Sequence, residues 1–222
     1  MTRRVLLSWS SGKDSAWALH VLRQEKECEI VALLTTVNEA FDRVAMHGVR
    51  RQLLEAQAKA VGVELWPVNI PNRCTNAQYE DAMAEALRRA LKSGIDAVAF
   101  GDLFLEDVRR YREMKMAATG LDLLFPLWGI PTGRLAREMI AGGLRAKLTC
   151  VDPRVLCSDF AGREWDLSLL GRLPVGVDPC GENGEFHTFA YAGPMFDEPV
   201  PCRTGVVELR DDFVFADLIH GP

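Results

Sequence analysis

No stretch of the 222-residue chain approaches the ~20 consecutive apolar residues that a membrane-spanning helix requires. Arg3-Arg4 lead into an apolar run, Val5-Leu6-Leu7, that is far too short for a signal peptide, so the sequence predicts a cytoplasmic protein. None of the six cysteines, Cys28, Cys74, Cys150, Cys157, Cys180 and Cys202, forms a C-x-x-C pair. That argues against a zinc ribbon or a thioredoxin-like site, and the scatter reads as reduced thiols. Positive charge is not in excess: 26 Lys and Arg against 31 Asp and Glu give a net charge of −5. A large nucleic-acid footprint is therefore not expected. The one candidate basic cluster is Arg109, Arg110, Arg112 and Lys115. Internal repeats and low-complexity segments are absent. So is a Walker A loop, since Leu7 stands where its first glycine belongs and Lys13 is followed by Asp14.

What is present is the composition of an ordinary soluble fold, 48% hydrophobic and 26% charged, with room for one or two domains. Short apolar runs alternate with helical patterns through the first part. Strands are predicted near 5–7, 30–36, 64–70, 95–101 and 123–128, with helices near 16–22, 49–60, 76–92 and 106–118 between them. That rhythm predicts right-handed crossovers and a five-stranded doubly wound parallel sheet with the first strand central. Pro67 places the third strand at an edge. Ligands of such sheets sit beyond the strand C-termini, where the first loop, Thr35-Thr36 and Gly101-Asp102 can line one site. From Pro131 the rhythm changes. A helix over 132–141 with Thr132 as N-cap, a strand over 144–151, and three late β-runs with an Asp211-Asp212 turn predict a smaller α+β domain. The expected division is 1–126 and 127–222.

Directly after the first strand comes Ser8-Trp9-Ser10-Ser11-Gly12-Lys13-Asp14-Ser15, opening a helix. Strand, tight polar loop and helix start point backbone N–H groups and the positive end of the helix dipole at an anion. Lys13 adds a point charge, and the serines add donors. The competing reading is a bland turn with Ser11 or Asp14 as N-cap. A second dense stretch is Asp178-Pro179-Cys180-Gly181-Glu182-Asn183-Gly184-Glu185-Phe186-His187-Thr188. It reads either as a solvated polar turn or as a site in which carboxylates hold an ammonium group or Mg²⁺ and His187 orients a substrate or moves a proton. Arg109 and Arg112 lie at helical spacing with Glu113, which reads first as a salt-bridged face.

The first loop resembles the S-G-G-x-D-S loop of the PP-loop ATP pyrophosphatases, with Ser11 in place of the first glycine. Together with Glu182-Asn183-Gly184-Glu185-Phe186-His187-Thr188, Met46-His47-Gly48-Val49, Gly101-Asp102 and Phe125-Pro126-Leu127-Trp128, the chain resembles the diphthine–ammonia ligase family. The resemblance implies the strand order 3-2-1-4-5. It implies an ATP-dependent ligase that adenylates a carboxylate with release of pyrophosphate, after which ammonia displaces AMP. The implied catalytic groups are Lys13, Asp14, Glu185 and His187. Nucleotide contacts fall to Ser10, Ser11, Gly12, Lys13, Asp14, Ser15, Thr35, His47, Gly101 and Asp102. Substrate contacts fall to Glu182, Asn183, Glu185, His187 and Arg112, and Mg²⁺ to Asp14. The partners are ATP, ammonia, and either elongation factor 2 carrying diphthine or a small carboxylate, with a homodimer as the candidate assembly. The alternatives are a PP-loop tRNA-modifying enzyme and a sensor that binds ATP or AMP without turnover.

Overall fold

A computed structural model describes residues 2–221. Its first sheet contains β1 (Arg3–Ser8), β2 (Cys28–Asn38), β4 (Glu64–Ile70), β5 (Ala97–Ala99) and β6 (Asp122–Leu124), all parallel in the order β4-β2-β1-β5-β6. That is the expected order, with the first strand central. Pro67 does lie on an edge strand. One strand was not foreseen. β3 (Arg43–Val44) turns back antiparallel onto Val37 and Asn38 at the end of β2, making a sixth strand. Two residues are too few for a periodic signal, so only the fold reveals it.

The connecting helices are α1 (Lys13–Gln24), α2 (Arg51–Val61), α3 (Asn76–Lys92) and α4 (Glu106–Met116). Thr75 and Gln78 form a capping box that starts α3, and Gly62 in the left-handed region ends α2. α5 (Thr132–Ala141) follows, but its N-cap is Pro131 without a side-chain bond, not Thr132. The second sheet holds β7 (Arg145–Val151), β8 (Phe186–Ala192), β9 (Cys202–Arg210) and β10 (Phe213–His220), antiparallel in the order β8-β7-β10-β9. A short helix, α6 (Leu167–Leu170), lies between β7 and β8. The turn between β9 and β10 is Asp211-Asp212, both with positive φ (48° and 67°), as a two-residue hairpin of this twist needs.

Alternation along β1 distributes the core. Leu6 faces a cluster under α3 and α4 with Trp66, Val98, Phe100 and Met116. Leu7 faces a larger cluster that continues through Leu19, Met139 and Leu148 to Phe189 on β8. The two sheets thus share one apolar core on that side. Arg43 and Arg50 both bind Asp217 on β10, at 2.8 Å and 2.5–2.9 Å, which fastens the segment after β2 to the second sheet.

Candidate active site

The loop after β1 is held from behind by buried polar contacts. The Ser11 carbonyl accepts the Ala190 N–H of β8 at 2.9 Å and the Gln57 side-chain amide at 3.0 Å. Gln57 is itself fully buried and accepts the Trp9 indole N–H at 3.0 Å. Ser11 sits at φ +67° with its hydroxyl buried and unpartnered among the described residues. A glycine would adopt that backbone without strain, so the loop accepts a local cost at this residue. Ser10 and Ser15 hydroxyls lie 3.2 Å apart, and Ser15 also donates to the Gly12 carbonyl at 3.0 Å. Gly12 caps α1 without a side chain, leaving the cleft open to the first turn of the helix. Gly101 runs so close to that turn that a Cβ would lie 2.9 Å from the Asp14 carbonyl carbon; only glycine fits there.

The turn before β8 closes over this loop. The Lys13 N–H donates to the Thr188 hydroxyl at 3.1 Å. Its ammonium, almost wholly buried, donates to Asp14 Oδ2 at 2.8 Å and to the Cys180 carbonyl, with the Trp165 and Phe186 rings 5.4 and 5.5 Å away. Burial favours the neutral amine, but the Asp14 carboxylate, assisted by Glu182, outweighs it and keeps the ammonium charged. Burial likewise pushes the Asp14 carboxyl up while Lys13 pulls it back.

Glu182 Oε1 accepts the Leu103 N–H at 2.7 Å. Burial, against that bond and with Asp14 beside it, raises the Glu182 pKa to about 7. His187 and His47 lie with ring centroids 4.4 Å apart. Burial and the nearby Lys13 bring His187 down to about 4, while burial and His187 bring His47 well below its ordinary value. Both imidazoles are neutral at pH 7. Arg112 grips Asp102 with both prongs, at 2.5 and 3.0 Å, while Arg109 pairs with Glu113 as its spacing suggested.

These elements enclose a cleft of about 210 Å³. Of the residues singled out in the sequence, it is lined by Ser10, Lys13, Asp14, Ser15, His47, Gly101, Asp102, Arg112, Glu182 and His187. Ser11 and Gly12 form the buried back of the loop. The structure does not bring Thr35, Asn183 or Glu185 to the cleft wall. Thr35 donates to the Trp9 carbonyl at 2.7 Å, as a capping hydroxyl. Glu185 is buried and accepts the Asp178 N–H, the Asn183 N–H and the Asn183 amide at 2.9–3.0 Å. It shapes the turn. Asn183 is exposed and serves the same end.

Gln57 and the Cys180 carbonyl were not legible in the sequence, and Asp178, quoted only as the start of the late stretch, had no role assigned to it. Asp178 accepts the Cys180 and Glu182 N–H groups, at 3.1 and 3.0 Å, and so sets the position of Glu182. Gln57 left one trace, a polar residue on the stripe of Leu53, Leu54 and Val61. A backbone carbonyl leaves none.

The residues also fit a phosphate-bound magnesium ion. Asp14 Oδ1 is buried without a hydrogen-bond partner among the described residues. Among the described residues no group of three or more His, Cys, Asp or Glu side chains could hold a metal alone. One carboxylate completed by phosphate oxygens and water is the usual magnesium arrangement.

The family model described as Diphthamide synthase N-terminal domain matches residues 3–122, more than half of the chain. The chain belongs to this family. Two curated relatives, each named diphthine–ammonia ligase, extend the similarity over nearly the whole length. The protein from Rattus norvegicus is 26% identical over 241 residues, 98% of this chain and 89% of that one. The protein from Danio rerio is 28% identical over 235 residues, 96% of this chain and 91% of that one. The family match spans the loop 10–15, His47 and the Gly101-Asp102 and Arg112 pieces; the Glu182–His187 turn lies beyond it and falls within the longer match to the two relatives. Among solved structures, a predicted subunit of a tRNA methyltransferase from Methanocaldococcus jannaschii aligns at TM-score 0.44 and 15% identity, over 66% of this chain and 80% of that one. A likeness that distant carries no argument.

Proposed function

We propose that this protein is an ATP-dependent amide-forming ligase that adenylates a carboxylate, releases pyrophosphate, and lets ammonia displace AMP. The observation that carries the reading is the meeting of two chemistries in one cleft. A donor-rich helix start with a buried lysine stands against a turn bearing Glu182 and His187. Residues 1–126 would supply the nucleotide side and residues 127–222 the acceptor side. The names of the two relatives support diphthine as the acceptor and ammonia as the nitrogen donor; elongation factor 2 as the carrier of diphthine is what the family resemblance implies.

A carboxylate is a poor acylating agent because its oxygen is a poor leaving group. Attack of its oxygen on the α-phosphorus of ATP forms an acyl-adenylate and expels pyrophosphate. Charge gathers on the phosphates in that step. The Ser10 and Ser15 hydroxyls, the first turn of α1 and the Lys13 ammonium are positioned to meet it. Magnesium, when bound, supplies further charge neutralisation, and Asp14 Oδ1 would hold it. Neutral His47 and His187 at the far wall orient the incoming carboxylate by hydrogen bonds without burying a second net charge. Asp102 keeps the Arg112 fork turned to the cleft rim.

The test is pyrophosphate release from ATP, with and without ammonium, on elongation factor 2 that carries diphthine. Release that requires the acceptor, together with AMP and an amide product, is expected. Tight AMP binding with no turnover on any acceptor would establish a sensor instead.

A further inference from the structure

Of the acidic side chains on the cleft wall, Asp14 and Asp102 are each paired with a cation and Glu182 is not, among the described residues. Asp14 is paired with Lys13 at 2.8 Å, and Asp102 accepts both prongs of Arg112. Asp178, behind the wall, is spent on two backbone N–H groups. Glu182 accepts a single bond, from the Leu103 N–H to Oε1, and faces no cation within salt-bridge distance among the described residues. It sits in the wall with Asp14 and His187. Its main chain is pinned by Asp178 and its side chain by Leu103, so its position is set before any ligand arrives.

A ligase that draws on free ammonia meets a protonation problem. At neutral pH the dissolved species is ammonium, which has no lone pair to attack with. The two imidazoles of the cleft are the usual choice of base, but both are depressed and bind protons weakly. We propose that Glu182 is the general base that deprotonates ammonium in the cleft; this rests on the ligase reading above. Ammonium gives one proton to the free carboxylate oxygen of Glu182. The lone pair so released forms the C–N bond at the acyl-adenylate carbonyl carbon. The C–O bond to AMP breaks, and AMP leaves with that electron pair. The nitrogen then sheds its surplus proton to solvent, and Glu182 releases the proton it took to solvent as well, which regenerates the carboxylate.

The electrostatic setting agrees with that role. Burial lifts the carboxyl to about 7; the Leu103 N–H opposes this, Asp14 and Asp102 add to it, and Lys13 offsets part. The base is thus stronger than an ordinary glutamate and still ionised in good measure at neutral pH. Charged or titratable groups facing it are Lys13 and Asp14 on α1, Asp102 after β5, Cys180 in its own turn and His187 on β8. The Cys180 thiol is raised far above its ordinary value by burial and stays neutral.

Hydroxylamine separates the role from mere turn architecture, because it is already unprotonated at neutral pH and needs no base. Glu182→Gln keeps an oxygen for the Leu103 N–H. With ATP and diphthine-bearing elongation factor 2, we expect this variant to form amide from ammonium about 100-fold more slowly than the wild type. Hydroxamate formation from hydroxylamine should fall by less than about tenfold, and Glu182→Asp should restore part of the ammonium rate. Equal losses with the two nucleophiles would overturn the assignment while leaving the ligase intact. A wild-type protein that makes neither amide nor hydroxamate would overturn the ligase reading and this inference with it.

Discussion

The two walls of the cleft reach their positions by opposite means. The loop 10–15 is positioned by its own local structure. A buried strand delivers the chain to a helix start, and Gly12 and the nearness of Gly101 leave that start open to the cleft. The turn 178–185 has no regular structure of its own. Carboxylates hold it: Asp178 and Glu185 together accept five bonds from backbone and amide N–H groups within the turn. The first wall concentrates donors and positive charge, and the second concentrates acceptors and acid. The comparison teaches that titratable residues in a motif divide into those that face the cleft and those that build the turn. Glu182 and Glu185, three residues apart, fall on different sides of that division.

The strongest way to break the comparison is to remove the residue that joins the walls. Lys13→Ala leaves the Asp14 carboxylate half-buried without its cation and the Cys180 carbonyl without its donor. It should cost about 3–5 kcal/mol of stability in denaturant unfolding and abolish pyrophosphate release. A loss under about 1 kcal/mol would mean that the walls hold together without it.

A smaller effect sharpens the contrast through pH. The Glu182 pKa is raised on folding, so the folded state binds the proton more tightly than the unfolded chain. Its contribution to stability is fully present below the unfolded value and is lost as pH rises through about 7. Glu182→Gln should therefore be the more stable protein at alkaline pH, by about 1–2 kcal/mol after solvent screening, and the advantage should vanish on acidification. His187 runs the other way. Its folded pKa, near 4, lies below the unfolded value, so its contribution is present above that unfolded value and is lost as pH falls towards 4. Thermal melts across pH on wild type and Glu182→Gln check both signs; a pH-independent difference would refute the Glu182 shift.

The smallest expected change lies at the back of the first wall. Ser11→Gly relieves a left-handed serine and removes a buried hydroxyl without a partner. It should stabilise the protein by about 1 kcal/mol, read as a rise of roughly 2–4 °C in Tm. A lower Tm would show that the hydroxyl has a partner worth more than the strain.

Much of this was legible before the fold was in hand. A doubly wound parallel sheet with its first strand central followed from the alternation of apolar runs and helices, because crossovers of one hand leave few ways to wind a parallel sheet; the full strand order came from the family resemblance. Ser10, Lys13, Asp14 and Ser15 were legible because loop chemistry is local. Thr35 and Glu185 misled for a shared reason. A hydroxyl or carboxylate near a site has the same letter whether it turns to the ligand or to its own backbone.

By itself, the amino-acid sequence determined the parallel sheet, the donor-rich helix start after the first strand, and the supply of acids and imidazoles in one late segment. Each of these depends on neighbours a few residues apart. Only the tertiary structure decided that the late segment lies across the early loop, through the Lys13 bonds to Thr188 and Cys180 and the Ala190 bond to Ser11. Those contacts join residues some 170 positions apart, two of them through backbone carbonyls that every residue carries. No side-chain pattern records them, and they are what leave Glu182 as the cleft's uncommitted acid.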